Sequence, residues 1–290
     1  MSSATTAAEV TSVAPPRERA KVLMPAILFL LLALAPLAVS IGMPAGWLAL
    51  LTRALIFAIA ALSLDLILGV GGLVSFGHAA FLGIGAYVTG IMITLAFGQM
   101  VYFLAQALSA YGGDDGLTLY EKSTLLGFNP FASRTSFYYS VLIALAGAYL
   151  LVRGLVASRF GRVLRAAREN PTRVSVTGFD VNKVRLVAYV ISGMLAGLAG
   201  FFLANHTEFV SPAFMSWQRS GELIFMAVLG GVGSLHGAIV GAIAYLIAED
   251  ALSHVTEHWR AIFGPMIILF VLFTRGGIVG MLRKLGGRHG

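Results

Sequence analysis

The 290-residue chain contains no cysteine. That removes disulfide frameworks, thiolate nucleophiles and cysteine-based metal sites together, and leaves the redox compartment open. Charge is also scarce: Asp, Glu, Lys and Arg supply 11% of the residues, against about 25% in a soluble domain. With 58% hydrophobic residues and a mean hydropathy of +0.87, the composition excludes a soluble domain and predicts a polytopic membrane protein. No lysine follows a glycine anywhere, so there is no "GxxxxGK[ST]" phosphate loop, and ATP hydrolysis would need another chain. "GVGSLH" at 231–236 opens like a dinucleotide fingerprint but lacks the third glycine, so no nucleotide cofactor is expected.

Two short motifs lack the context that would make them chemistry. "HVTEH" at 254–258 has the H-x-x-E-H spacing of a zinc peptidase, with Glu257 as base, but no Asp, Glu or Cys follows His258 to complete the site. No metal site and no independent enzyme activity are expected. "NHT" at Asn205 is formally a glycosylation sequon. The formal net charge of +7 suggests nucleic acid only until its distribution is read: the basic residues lie beside hydrophobic segments, which points to a membrane face and no nucleic-acid partner.

Apolar segments cover Val22 to Ser40 and about 47–70, 77–111, 137–157, 186–204, 222–250 and 261–282. Residues 77–111 are too long for one straight crossing. Residues 222–250 are too long for one and too short for two, because halves of about 14 residues rise only about 21 Å against a hydrocarbon core of roughly 30 Å. The expected fold is an all-α transmembrane bundle with glycine-broken or re-entrant helices. Lys and Arg concentrate in the N-terminal tail, the 153–185 loop and the C-terminal tail, whereas Asp114, Asp115, Glu121, Glu208, Glu222, Glu249, Asp250 and Glu257 fall toward the opposite face. The positive-inside rule therefore predicts cytoplasmic N- and C-termini, provided that 222–250 reverses near "GGVGSLHG", 230–237, and the chain reverses likewise near Gly71 to Gly77.

Those two places share a pattern. "LGVGGLVSFGHAAFLGIGAY" and "LGGVGSLHGAIVGAIAY" both run through Leu-Gly, clustered glycines, a serine, a histidine and Ala-Tyr. Paired, glycine-interrupted hydrophobic segments in two halves of a chain predict a weak internal repeat, with a pathway where the halves meet. Candidate pathway residues are Asp65, Ser75, His78, Ser234 and His236. Asp65 is expected to face the bundle interior, against a broken-helix backbone group, a solute or a proton. The histidines either bond backbone carbonyls or touch solute. Gly193/Gly197 and Gly237/Gly241 have small-xxx-small spacing and are expected to pack helices.

The loop after 157 reads as two short helices. "GRVLRAARE", 161–169, is basic. Asn170 is then placed as N-cap, Pro171 at the first helical position and Gly178 just past the end. An exposed loop that binds anionic lipid through its arginines is one reading of this region.

"GLVSFGHAAFLGIGAYVTG", "GRVLRAARENPTRVSVTGFDVNKVRLVAYVISGMLAGLAGFFLA" and "VSPAFMSWQRSGELIFMAVLGGVGSLHGAIVGA" resemble, in order and from about Leu62 to Met281, the LivM-type permeases of branched-chain amino acid ABC importers. The resemblance implies a permease subunit in a bacterial plasma (inner) membrane. Its partners would be a second, LivH-like permease, two ATP-binding cassette subunits and an extracytoplasmic solute-binding protein. It also implies an ATPase-docking role for the loop carrying Arg165, Asn170, Pro171, Thr172, Arg173 and Gly178. The chain divides into a tail without fixed structure, 1–21, a permease domain, 22–282, with the cytoplasmic loop 158–185, and a basic tail, 283–290. It departs from the family by joining Gly90 directly to Ile91, where relatives carry another hydrophobic segment and a loop. The competing class is a stand-alone channel or proton-coupled secondary transporter with a titratable relay at Asp65. Relatives of this shape serve branched-chain amino acids, urea, amides and small aromatic acids.

Overall fold

The computed structural model describes residues 16–40, 46–71, 87–108, 113, 115–118, 133–256, 262–266, 270, 274 and 276–286. Its architecture is an all-α bundle, with one two-residue ladder at one end. Helix α1 is Pro16–Ser40. It starts ahead of the apolar run at Val22, because the intervening "RERAK" consists of good helix formers behind a proline suited to the first helical position.

Helix α2, Gly46–Asp65, is the axis of the bundle and continues as a single π turn, Leu66–Val70. Every residue from Ala54 to Gly71 is buried. The cause is legible in the residues: "ALIFAIAALSLDLILGV" is apolar on all faces, so no face is left to meet solvent or lipid and helices pack around it. Those helices are α4, Arg134–Ala157, α7, Val181–Thr207, α8, Trp217–Gly230, and α9, Leu235–Ser253. Helix α3 spans Tyr87–Ala107, and α10 is Gly277–Gly286. Between α4 and α7 lie the short helices α5, Arg159–Glu169, and α6, Pro171–Val176.

Among the described residues, four helical stretches are long and apolar enough to cross a membrane: Gly46–Val70, Arg134–Ala157, Val181–Thr207 and Leu235–Ser253. The outward faces of α4 and α7 carry Ile143, Leu150, Leu186 and Met194, all exposed. In water that pattern would be a liability. In lipid it is the expected solvent-facing surface. Two buried hydroxyls tie helices together: the Tyr138 hydroxyl donates to the Leu32 carbonyl at 2.5 Å, joining α4 to α1, and Ser192 donates to the Ser63 carbonyl at 2.5 Å, joining α7 to α2.

The expected reversal in 222–250 is present. Helix α8 has 14 residues and ends at Gly230, and α9 starts at Leu235 after a turn in which Gly231 (φ +110°) and Gly233 (φ +84°) take backbone conformations closed to most side chains. The halves are unequal: α9, at 19 residues, rises about 28 Å and can cross the core, whereas α8 rises only about 21 Å and cannot. Gly237 backs onto Gly230, and Gly241 onto the Met226 carbonyl, with no room for a Cβ, so this pair does pack helices. Gly193 and Gly197 do not. Among the described residues nothing stands within 4 Å of a Cβ built on either, so this pair packs on none of them. The reversal expected near Gly71 to Gly77 lies outside the described residues beyond Gly71, as do residues 1–15 and 287–290 of the two tails.

Strand β1, Leu117–Thr118, pairs antiparallel with β2, Phe209–Val210, which directly follows α7. The ladder marks one end of the bundle. The other end carries α5, α6 and the start of α7.

Candidate functional site

The two glycine-interrupted segments meet. Gly69, in the π turn, lies against the backbone of Gly233 so closely that a Cβ at 69 would collide with the Gly233 nitrogen and the Asp65 carboxylate. One turn earlier on α2, Asp65 Oδ1 accepts the Gly233 N–H at 2.7 Å. Asp65 is fully buried and faces the interior, and its carboxylate binds a backbone group freed by the break between α8 and α9. It sits near the basic end of its span and not at its centre. Ser234 donates its hydroxyl to the Gly231 carbonyl at 2.7 Å, inside the same turn. His236 lies half-buried in the first turn of α9. Ser75 and His78 lie outside the described residues.

A second contact fixes how α2 and α9 run. Arg53 on α2 reaches Glu249 on α9 at 3.4 Å, while Gly69 and Gly233 meet at the other end, so the two helices are antiparallel and bridged at both ends. The sequence reading gave Arg53 no role and placed no partner beside Glu249. An arginine inside an apolar span was the available signal, since such a residue costs about 2.5–3.5 kcal/mol at a helix centre unless it finds a partner.

The basic end is built from helix termini capped by arginines. Arg165 donates to the Val156 carbonyl at the end of α4 (2.8 Å) and to the Gly161 carbonyl (3.2 Å). Arg168 donates to the Gly69 carbonyl at the end of the α2 span (2.5 Å), and Arg185 to the Ala167 carbonyl near the end of α5 (3.2 Å). Cations at helix C-termini satisfy orphan carbonyls and oppose the negative end of the macrodipole. Arg165 is an exposed residue whose guanidinium bonds both carbonyls. Ala167, Val174 and Val181 form a small core that locks α5, α6 and α7 together. Val70, Leu164 and Ala188 form another that locks α5 to the end of α2 and to α7.

Within this block the local expectations from sequence are met in detail. Asn170 caps α6, its Oδ1 accepting the Arg173 N–H at 3.0 Å, Pro171 opens the helix, and Gly178 takes φ +86°. Asp180 caps α7 by accepting the N–H groups of Asn182 and Lys183, and the bond from Lys183 is the largest cause holding this carboxyl below its ordinary range. Thr172 and Arg173 are exposed. So are two large apolar side chains that the sequence reading passed over, Val176 (82%) and Phe179 (51%), at the tip of the block.

An open cavity of about 820 Å³ lies between α2, α3, α7 and α8, with Phe57, Phe97, Gly197, Phe214 and Arg219 on its walls. Asp65, Ser234 and His236 do not line it. Arg219 pairs with Glu222 at 2.7 Å. No group of His, Asp or Glu residues among the described residues could hold a metal ion.

Comparison with known proteins agrees with this architecture. The family model described as "Branched-chain amino acid transport system / permease component" matches residues 46–113 and 90–272. The high-affinity branched-chain amino acid transport system permease protein LivM of Escherichia coli (strain K12) is 25% identical over 295 residues, covering 80% of this chain and 69% of that protein. The alignment is longer than the part of this chain it covers, so the relative carries segments that this chain lacks. The probable branched-chain amino acid transport permease protein LivH of Methanocaldococcus jannaschii is 34% identical over 152 residues, 51% of this chain and 44% of that protein. No solved structure matches. The family model covers most of the chain, the apolar helices are those of a multi-pass membrane protein, and the relatives are transport permeases and not enzymes; this chain belongs to the branched-chain amino acid transport system permease family.

Proposed function

We propose that the chain is the membrane-spanning subunit of an ABC importer that passes a small polar solute, a branched-chain amino acid, handed over by an extracytoplasmic binding protein. ATP hydrolysis is supplied by two cassette subunits, and a second, LivH-like permease completes the pathway. The bundle stands in a bacterial inner membrane with both termini and the α5–α6 block on the cytoplasmic side. Residues 22–282 act as the permease domain.

The observation that carries this reading is the α5–α6 block. It is a compact pair of short helices, capped at Asn170 and Gly178, packed on the ends of α2 and α7, and it presents Val176 and Phe179 to the outside. A helix that docks on a partner needs a fixed base and an unpartnered apolar tip, and this block has both. Thr172 and Arg173 supply the polar rim of that surface. A loop held to lipid by its arginines alone fits less well, because Arg165, Arg168 and Arg185 bond helix carbonyls.

The candidate pathway residues divide by what they bond. Asp65 and Ser234 hold backbone groups of the α8–α9 break and so shape the wall of the path. Contact with solute is left to His236, Ser75 and His78.

Reconstitution tests the reading. Vesicles holding this chain, the second permease and the ATPases are expected to accumulate radiolabelled leucine only with ATP inside the cytoplasm-facing compartment and binding protein on the opposite side. Uptake by this chain alone under a proton gradient would replace the importer with a proton-coupled transporter.

A further inference from the structure

A hydrogen bond joins the basic block to the π turn that ends α2. Arg168, on α5, donates to the Gly69 carbonyl at 2.5 Å. Gly69 lies against the backbone of Gly233 with no space for a Cβ, and Asp65, one turn before Gly69, holds the Gly233 N–H at 2.7 Å. Three consecutive contacts therefore join α5, the π turn ending α2, and the turn between α8 and α9. Each link is short and each element is stiff. The π turn is fully buried and its Gly71 N–H is bonded to the Leu66 carbonyl, so a pull on Gly69 has little local slack in which to dissipate. The turn it abuts is the opposite case: Gly231 and Gly233 sit at positive φ, Val232 is 44% exposed, and α8 ends there without spanning the core.

We propose that Arg168 is the positioning residue of transport in this permease: it carries displacement of the α5–α6 block to the Gly69 carbonyl, and thence through Asp65 and Gly233 to the turn between α8 and α9. The proposal rests on the reading of α5–α6 as the part that docks on the ATPase. It adds which bond transmits and which segment answers. Energetic coupling over such a span needs contiguous packed contacts and an element with two arrangements, and the glycine-rich turn is the element able to supply the second. Arg168 is itself an exposed residue, and the apolar contacts of Val70, Leu164 and Ala188 hold α5 to α2 without it. Its loss should unlink the block from Gly69 and leave the fold standing.

The absence of cysteine makes the turn readable. Val232→Cys, in the complete importer, is labelled with a thiol reagent with and without vanadate-trapped nucleotide on the ATPase. With Arg168 present, labelling of Cys at 232 is expected to differ between the two states. Arg168→Ala is expected to abolish that difference while membrane abundance and copurification of the ATPase persist, and Arg168→Lys, which can still donate to one carbonyl, is expected to keep part of it. A purely structural role would lower abundance and alter labelling equally in both states. Should Arg168→Ala reduce insertion, Arg168→Met provides the same reading with a side chain of similar reach that has no donor. A nucleotide response at 232 that survives Arg168→Ala, or its absence when Arg168 is intact and the ATPase is bound, overturns the proposal alone. Failure of the unsubstituted chain to retain the ATPase overturns both the docking reading and this one.

Discussion

A carboxylate in a membrane helix is costly, about 2.5–3.5 kcal/mol at the helix centre on insertion scales, so its position and its bonds reveal why it is kept. Asp65 lies within the buried end of the α2 span and binds an N–H that the break between α8 and α9 would otherwise leave open. A charged acceptor makes the stronger hydrogen bond, roughly 1.5–3 kcal/mol against about 1 for a neutral one, but the geometry asks only for an acceptor. Asp65→Asn should therefore keep the Gly233 bond, with normal membrane abundance and uptake. Asp65→Leu removes the acceptor and with it a part-buried hydrogen bond to a carboxylate, and should lower thermal stability in detergent by an amount corresponding to about 1.5–3 kcal/mol, with uptake lost. Failure of the Asn variant with normal abundance would point to a titrating role and favour the proton-coupled alternative.

At the scale of elements, α6 shows how far a short helix can be specified locally. Asn170, Pro171 and Gly178 act within their own turn, which is why their roles were legible in the sequence. Nothing lies within 4 Å of a Cβ at Gly178, so the only objection to a side chain there is its φ of +86°, a conformation costing roughly 1–2 kcal/mol with a Cβ and more with a β-branched one. Gly178→Val should leave the permease inserted, displace the end of α6, reduce copurification of the ATPase and abolish the rise in hydrolysis caused by liganded binding protein. Gly178→Asn should retain more of both, and full retention by the Val variant would remove α6 from coupling. The α2–α9 pair was not legible in the same way. Arg53 and Glu249 are 196 residues apart, Arg168 and Gly69 are 99 apart, and no local period announces either contact. The reversal at Gly231 to Ser234 could be read because length and charge parity demanded it, whereas the spacing at Gly193 and Gly197 meets no neighbour among the described residues. Arg53 and Glu249 can be tested by a cycle. Each single change, Arg53→Met or Glu249→Leu, leaves an uncompensated charge, and should cost more than the roughly 0–1 kcal/mol of an exposed pair but less than the about 3–5 kcal/mol of a buried one, because Arg53 is about a third exposed. The double variant should melt closer to the parent than either single variant does. Additive losses would show that the pair does not clamp the helices.

Across the whole molecule the two ends differ in chemistry, and the helices connect them with consistent parity. The α2 span and α4 end where α7 and α9 begin, beside the block that holds Arg165, Arg168 and Arg185. Helix α7 runs from there to Thr207, where β2 pairs with Leu117–Thr118 beyond α3. Thr118 and Arg173 therefore stand at opposite ends of the bundle, and both are exposed. Cationic loops resist translocation, and the orientation proposed on that ground puts the end carrying Arg173 in the cytoplasm and the ladder end outside. With no native cysteine to interfere, Thr118→Cys and Arg173→Cys can each be expressed as the sole thiol of the chain. On intact cells a membrane-impermeant maleimide is expected to label Cys at 118 and to spare Cys at 173, and permeabilisation should then expose 173. If the segment absent at the Gly90–Ile91 junction comprises an outward half, one crossing and an inward half, the chain returns to the same side and everything after α3 keeps its orientation. Equal labelling at 118 and 173 in intact cells would break the parity, and with it both the cytoplasmic assignment of α5 and α6 and this account of the shortened region.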